Sequence, residues 1–101
     1  MTHYSVVSVT PKSTEWIEPY LLAVTSLLQR HGGRYLARTA SHSLFEGGAP
    51  PPALQVIIEW PSAEAEAAFY NDPGYRGPLA TRLAASESNW SSIEGKDDFA
   101  Q

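Results

Sequence analysis

The pattern of apolar and polar positions divides the chain into four extended segments and three helical ones. β-Branched and aromatic residues at strand-like spacing predict strands, and apolar residues three or four positions apart predict helices. The predicted strands are residues 3–10, 34–40, 54–60 and 89–94, and the predicted helical segments are 14–31, 63–71 and 78–85. With the last two helical pieces taken together, the order is β-α-β-β-α-β. This order predicts a ferredoxin-like plait, an α+β fold with an antiparallel sheet.

The first helix and the turn that ends it are clearly marked in this pattern. Its apolar stripe recurs at helical spacing at Tyr20, Val24, Leu27, Leu28 and His31. Ser13 or Thr14 is expected to cap the helix, and Pro19 fits only an early position, where no backbone N–H is needed. Gly32 can adopt the left-handed conformation that closes a helix, and an extended run follows at once. We therefore predict a sharp helix-to-strand return at residues 31–34.

The third predicted strand indicates what each face of the sheet contacts. One set of its side chains is apolar and points to one face: Leu54, Val56, Ile58 and Trp60. The alternate positions, Gln55, Ile57 and Glu59, are too apolar for a fully hydrated face and too polar for a core. Two helices cover only one face of a four-stranded sheet. We expect the second face to pack against the sheet of another subunit, which gives a homodimer.

Composition limits the classes of function. The 101 residues suffice for one domain, which we place at residues 1–95, followed by a polar tail at 96–101. The net charge is −4 and the seven Lys and Arg residues are scattered, which argues against nucleic acid as a partner. The chain has no apolar leader and no membrane-spanning run, so we expect a cytoplasmic protein without a membrane partner. With no cysteine and three histidines at unrelated spacings, no metal site is expected.

Three stretches and one arginine together resemble a known family. They are His31–Arg38 (HGGRYLAR), Val56–Ser62 (VIIEWPS), Ala68–Tyr75 (AFYNDPGY) and Arg82. In order and spacing they are similar to the motifs of the DUF1330 family, a domain of unknown function, over about residues 4–95. The resemblance implies a dimeric α+β barrel, in which two ferredoxin-like subunits pack sheet against sheet. The wider group includes cofactor-free monooxygenases, lactone isomerases and haem-degrading enzymes, but the family has no general activity to carry over, and we expect no cofactor.

Arg38 and Glu59 are the candidate catalytic pair. They lie on neighbouring predicted strands and match charged positions of the family motif. If both face one enclosed space, the guanidinium of Arg38 could hold a substrate carboxylate while Glu59 takes a proton. The alternative is an Arg–Glu pair that satisfies only itself, within the barrel or across the dimer.

A second candidate set surrounds the second helix and the proline break that follows it. Tyr70, Tyr75 and Arg82 lie there, and with Arg38 they are the candidate ligand-binding residues. Tyrosine hydroxyls and a guanidinium could orient an anionic or enolic ligand through hydrogen bonds. The same residues could equally serve in packing and capping.

Two functions are open at this point. The first is a homodimer that binds a small organic molecule, preferably an anion, and acts on it without a cofactor. The second is a non-catalytic dimer, a binding or stress-related accessory protein, in which the same residues are structural. A closed cavity beside unpaired Arg38 and Glu59 favours the first, whereas a filled barrel in which these two groups pair favours the second.

Overall fold

One antiparallel sheet with helices on one face makes up the fold. The computed structural model describes residues 1–100. The elements in chain order are β1 (His3–Pro11), α1 (Ile17–Arg30), β2 (Arg34–Thr39), β3 (Leu54–Trp60), α2 (Ala63–Tyr70), a 3₁₀ turn (Pro73–Tyr75), α3 (Arg76–Ala85) and β4 (Ser86–Glu94). The strand order is β2-β3-β1-β4, so the predicted ferredoxin-like α+β fold is confirmed. The helices within residues 1–100 lack the length and apolar content needed to cross a membrane.

The central position of β1 sets the two faces of the sheet. Val7 lies opposite Val56 of β3 and opposite Trp90 of β4, and these side chains point toward the helices. Val7 is 4% exposed and its neighbour Ile58 is 2% exposed. The buried core on this face combines β3 with the helical segments and consists of Val24, Leu27, Leu28, Ile58, Trp60, Phe69, Tyr75 and Leu79. The apolar set predicted from the alternation in β3 therefore faces the helices.

A β-bulge interrupts the pairing of β2 with β3. Tyr35 lies opposite Ile58, but Ala37, two residues later, lies opposite Ile57, so one extra residue is accommodated in β2. A one-residue shift in register moves every later side chain to the other face of the sheet. Arg38 consequently lies opposite Val56, on the face that the helices cover.

The start of α1 differs from the prediction. The helix begins at Ile17, with Trp16 at the capping position and no side-chain cap, so the predicted capping by Ser13 or Thr14 is wrong. The physical reason lies in the turn before the helix, where the indole N–H of Trp16 donates to the carbonyl oxygen of Ser13 at 2.8 Å. Pro19 is the third helical residue, where its missing N–H costs nothing.

The return from α1 to β2 is as sharp as predicted. Gly32 has a φ of +83°, and the N–H of Gly33 donates to the carbonyl oxygen of Leu28 at 3.0 Å, which satisfies the end of the helix. A Cβ at Gly33 would lie only 2.7 Å from Cζ3 of Trp60 and 2.9 Å from Cδ2 of Leu28. The backbone of this turn therefore packs directly on the core.

Two side-chain caps organise the second half of the chain. The hydroxyl of Ser62 accepts from the N–H of Ala65 at 3.1 Å and begins α2 as predicted. Asp72 caps the 3₁₀ turn by accepting from the N–H of Gly74 at 2.8 Å, and its other oxygen lies 2.8 Å from Nε2 of His31. These two hydrogen bonds, that of His31 first, hold the pKa of Asp72 below its usual range. The contact ties the end of α1 to the start of the 3₁₀ turn.

The last strand is longer than the sequence pattern indicates. β4 starts at Ser86 and pairs along β1 from Pro11 to His3, three residues earlier than predicted, because Ser86 follows α3 without a linker. The predicted tail at 96–101 has no further helix or strand as far as Ala100, and Gln101 lies outside the described residues.

The second face of the sheet is partly apolar and uncovered in the single chain. Val6 and Ile57 lie opposite each other there, and each is 39% exposed. Ile93 is 52% exposed and lies opposite Tyr4 on the same face. Glu59 lies beside Tyr4, so the face carries the mixture of apolar and charged groups that the sequence predicted.

Candidate functional site

A cavity of about 280 Å³ lies between α1 and the helix-covered face of the sheet. Much of its wall is aliphatic, with side chains from α1, β1 and β3. Aromatic rings and two arginines complete the wall: Trp16, Tyr20, Tyr35, Trp90, Arg38 and Arg82. A mostly apolar cavity into which a few polar groups converge is typical of a small-molecule site.

Arg82 is the buried cation of this cavity. It is 3% exposed, and its Nη1 donates to the hydroxyl of Ser88 at 2.5 Å, while Nε points to the hydroxyl of Tyr75 at 3.4 Å. Burial alone would lower the pKa of Arg82, but the phenols of Tyr75 and Tyr20 outweigh it and raise that pKa, so the guanidinium is charged. Within residues 1–100, no carboxylate lies within 4.0 Å of it. In this part of the chain its side-chain partners are neutral: the hydroxyls of Ser88 and Tyr75 and the ring of Trp90.

Arg38 is the second cation and lies at the mouth of the cavity, since it is exposed and also lines the wall. Its guanidinium carbon is 4.2 Å from the centre of the Tyr35 ring, a cation–π contact. In the part of the chain that the structure describes, Arg38 also forms no ion pair. The cavity therefore has an unpaired guanidinium at its mouth and another inside.

Glu59 lies outside this cavity, on the open face of the sheet. Its Oε1 accepts from Nε of Arg34 at 2.8 Å. Without the bulge in β2, Arg38 would lie opposite Gln55 and would share the open face with Glu59; the extra residue puts Arg38 on the other side. The structure therefore does not bring Arg38 and Glu59 together, and the ion pair that does form uses Arg34.

The two predicted tyrosines lie behind the cavity wall. Tyr75 is fully buried, and its hydroxyl lies 2.7 Å from that of Tyr20. The ring of Tyr70 packs edge-on against Tyr75 and Trp90, with centroid distances of 5.7 and 5.5 Å. Of the predicted ligand-binding residues, Arg38 and Arg82 thus line the cavity, whereas Tyr75 and Tyr70 contact the residues that line it.

Tyr20 is a lining residue whose polar role the sequence did not indicate. Its position in the apolar stripe of α1 identified Tyr20 only as a core residue. It is, however, the one residue of that stripe with a hydroxyl group. Its hydrogen-bond partner, Tyr75, is 55 residues away, so no local spacing could have paired them. Burial, and then the neighbouring Tyr75, raise the pKa of Tyr20, so its phenol is protonated at neutral pH.

Glu66 is a second group that sequence interpretation missed. It is 7% exposed, and its side-chain oxygens accept from the hydroxyls of Ser5 and Ser92 and from the indole N–H of Trp90. The indole N–H of Trp60 donates to Ser5 in turn, at 2.7 Å. The spacing of three residues between Glu66 and buried Phe69 was the available signal that Glu66 faces inward. Within residues 1–100, no three His, Cys, Asp or Glu side chains lie close enough together to hold a metal ion.

Comparison with known proteins adds the family and confirms the fold. A family model described as "Domain of unknown function (DUF1330)" matches residues 2–96. No curated protein matches the chain significantly.

Several solved structures resemble the chain at low identity. A protein of unknown function from Rhodopseudomonas palustris, RPA0582, has a TM-score of 0.79 and 18% identity, over 95% of this chain and 83% of its own. The N63A mutant of SnoaB, a cofactor-independent oxygenase from Streptomyces nogalater, has a TM-score of 0.66 and 16% identity, over 99% and 98% of the two chains. A dimeric ferredoxin-like protein of unknown function from Thermobifida fusca has a TM-score of 0.66 and 15% identity, over 92% and 90%. At identities of 15–18%, these similarities show a shared fold and nothing about function.

Proposed function

We propose that this chain, which belongs to the DUF1330 family, forms a homodimer in which each subunit binds a small organic anion in the cavity between α1 and the sheet. The observation that carries the proposal is the pair of guanidiniums, Arg38 and Arg82, that line one apolar cavity without a carboxylate partner in residues 1–100. Arg82 is buried, and a buried charge is costly unless an opposite charge pairs with it, whereas Arg38 is exposed at the mouth and has no such cost. An anionic ligand would supply that charge.

The geometry supports ligand binding, and we do not propose that the protein converts its ligand into a product. The predicted role for Glu59 was to take a proton from a ligand held by Arg38, and the two residues lie on opposite faces of the sheet. We therefore assign ligand binding to Arg38 and Arg82 and propose an interface role for Glu59. The likeness to a cofactor-independent oxygenase concerns the fold alone, so the non-catalytic binding protein is the function we retain.

The ligand proposal is tested by thermal-shift screening against small carboxylic acids and phenols. We expect at least one acid to raise the unfolding midpoint of the wild-type protein by several degrees. Arg38→Gln should weaken that acid about tenfold or more, because a charge-assisted hydrogen bond is lost. Arg30→Gln, which removes an exposed arginine at the end of α1, is the matched control and should leave the affinity unchanged. A hit of equal affinity in the Arg38 variant, or no hit among the acids, contradicts the proposal.

The dimer proposal is supported by the open face, where Val6, Ile57 and Ile93 leave apolar surface in the single chain. Relatives in fold are described as dimeric. Val6→Glu would place two like charges near each other in a sheet-to-sheet dimer. We expect the wild-type protein to elute at twice the chain mass in light-scattering chromatography and Val6→Glu to raise the dimer dissociation constant more than about tenfold.

The control for this experiment is Leu83→Glu, which changes a side chain on α3, away from the open face, that is 56% exposed. This variant should remain dimeric. A monomeric wild-type protein, or a Leu83 variant that dissociates as readily as the Val6 variant, would exclude dimerisation through this face.

A further inference from the structure

We infer that the ligand is an aromatic carboxylate and that the hydroxyl of Tyr20 donates a hydrogen bond to it. The inference rests on the proposed function, because it names the ligand class for the same cavity. Its two supports are a count of hydrogen-bond donors and acceptors around Tyr20 and the aromatic content of the wall.

The donors around Tyr20 outnumber the acceptors. Tyr20 and Tyr75 lie hydroxyl to hydroxyl at 2.7 Å, and this single hydrogen bond uses one of their two hydroxyl hydrogens. Arg82, which approaches the oxygen of Tyr75, has donors only and cannot accept the second hydrogen. Within residues 1–100, the other side chain that acts on these two hydroxyls is Arg82, and its contact with Tyr20 likewise supplies a donor and no acceptor. One phenolic hydrogen is left without an acceptor.

The unused hydrogen belongs on Tyr20. Tyr75 is fully buried and receives Nε of Arg82, so its own hydrogen is directed to the oxygen of Tyr20. Tyr20 lines the cavity, and an acceptor for its hydrogen can therefore come from a bound molecule. Burial raises the pKa of Tyr20, which keeps it a donor at neutral pH. A ligand oxygen at this end of the cavity meets a phenol donor with the Arg82 guanidinium close behind it.

These two groups favour a carboxylate over a neutral acceptor. A guanidinium and a phenol supply only donors to the two oxygens of a carboxylate. A carboxamide of the same shape would turn its own N–H groups toward a cation or a donor, which leaves them unsatisfied. We therefore expect strong discrimination between an acid and its amide.

The rest of the wall favours a flat aromatic body. Rings from α1, β2 and β4 face the cavity, and the arginines already lie over two of them, Arg38 over Tyr35 and Arg82 at 5.6 Å over Trp90. Aromatic rings contact one another more favourably than their area alone predicts. The volume of about 280 Å³ lies below the usual range for drug-sized ligands and suits an acid with one or two rings.

The test is a fluorescence titration of the full chain, since Trp16 and Trp90 line the cavity and report on its occupancy. The probes are 2-naphthoate, its amide 2-naphthamide, the phenol 2-naphthol, which is neutral at neutral pH, and the saturated acid decahydro-2-naphthoate. We expect 2-naphthoate to bind at least about tenfold more tightly than each of the others. Tyr20→Phe should weaken 2-naphthoate about tenfold, whereas Tyr4→Phe, on the open face, should not change its affinity.

Each outcome separates this inference from the proposed function. Equal affinity for the aromatic and the saturated acid excludes an aromatic carboxylate and leaves the anion site intact. A Tyr20 variant with unchanged affinity excludes the role of Tyr20. Binding of the neutral amide or of neutral 2-naphthol as tight as that of the acid overturns the proposed function as well. Absence of binding by either acid excludes this ligand class, and the thermal-shift screen against smaller acids then decides the proposed function. The comparison of probes uses the wild-type protein, so it decides the ligand class even if Tyr20→Phe folds poorly.

Discussion

Glu66→Leu is expected to lower the free energy of unfolding by about 2–4 kcal/mol, because it leaves two inward-facing donors without an acceptor. Those donors are the hydroxyl of Ser5, which is fully buried, and the indole N–H of Trp90, which lies 3.0 Å from Oε2 of Glu66. Ser5 also accepts from Trp60, so it cannot turn freely to another partner. Equilibrium unfolding in urea at fixed protein concentration measures the loss.

Glu66→Gln is the informative companion variant. Ser5 and Trp90 both donate to Oε2, whereas Ser92 alone donates to Oε1. A glutamine can therefore place its oxygen at the Oε2 position and direct its NH₂ group to the hydroxyl of Ser92, which is able to accept. We expect this variant to retain most of the stability. If glutamine were as damaging as leucine, the negative charge of Glu66, and not its pattern of acceptors, would be what the interior requires.

Gly33→Ala is expected to destabilise the protein by about 1–3 kcal/mol through overpacking. The new methyl group would lie 2.7 Å from the Trp60 ring and 2.9 Å from a methyl of Leu28, and both residues belong to the core cluster. Trp60 is fully buried, so its ring has little room to move away. The shift in the urea midpoint of this variant measures the cost.

The control is Gly77→Ala, in the first turn of α3, where a Cβ would meet nothing within 4 Å. Alanine there should be neutral or stabilising by up to about 1 kcal/mol, because it restricts the unfolded chain. A Gly33 variant as stable as the Gly77 variant would show that the turn shifts to admit a side chain, contrary to the tight packing described above.

The fold could be predicted because its signals are local and periodic. β3 has the predicted bounds, Leu54–Trp60. Apolar residues take every second one of its seven positions and the flanking residues interrupt the alternation, so the pattern fits a strand with these ends. Ser62 and Asp72 cap their helices as the cap-then-helix pattern indicates. The start of α1 was missed because Ser13 and Thr14 are good capping residue types, but here a local turn uses their backbone: the carbonyl oxygen of Ser13 accepts from the indole of Trp16 and that of Thr14 accepts from the N–H of Ile17.

The candidate site could be predicted only in part, for a different reason. Arg38 and Arg82 were found from their residue type and from the family motif, and they line the same cavity. The position of Glu59 relative to Arg38 depends on a single extra residue in β2, and β2 itself contains no glycine or proline to mark it. The pairing of Tyr20 with Tyr75 depends on packing between distant segments. Local patterns do not contain such information.

The bulge in β2 also affects how this site can evolve. Deletion of the extra residue near Leu36 would restore regular pairing with β3 and would leave Arg38 opposite Val56, on the cavity side. Regular pairing at the present length would instead put Arg38 opposite Gln55, and the open face would then gain a second arginine beside the Arg34–Glu59 pair while the cavity lost the cation at its mouth. The length of β2 and the presence of its bulge therefore have to be compared together when ligand preference and subunit contacts are compared among family members.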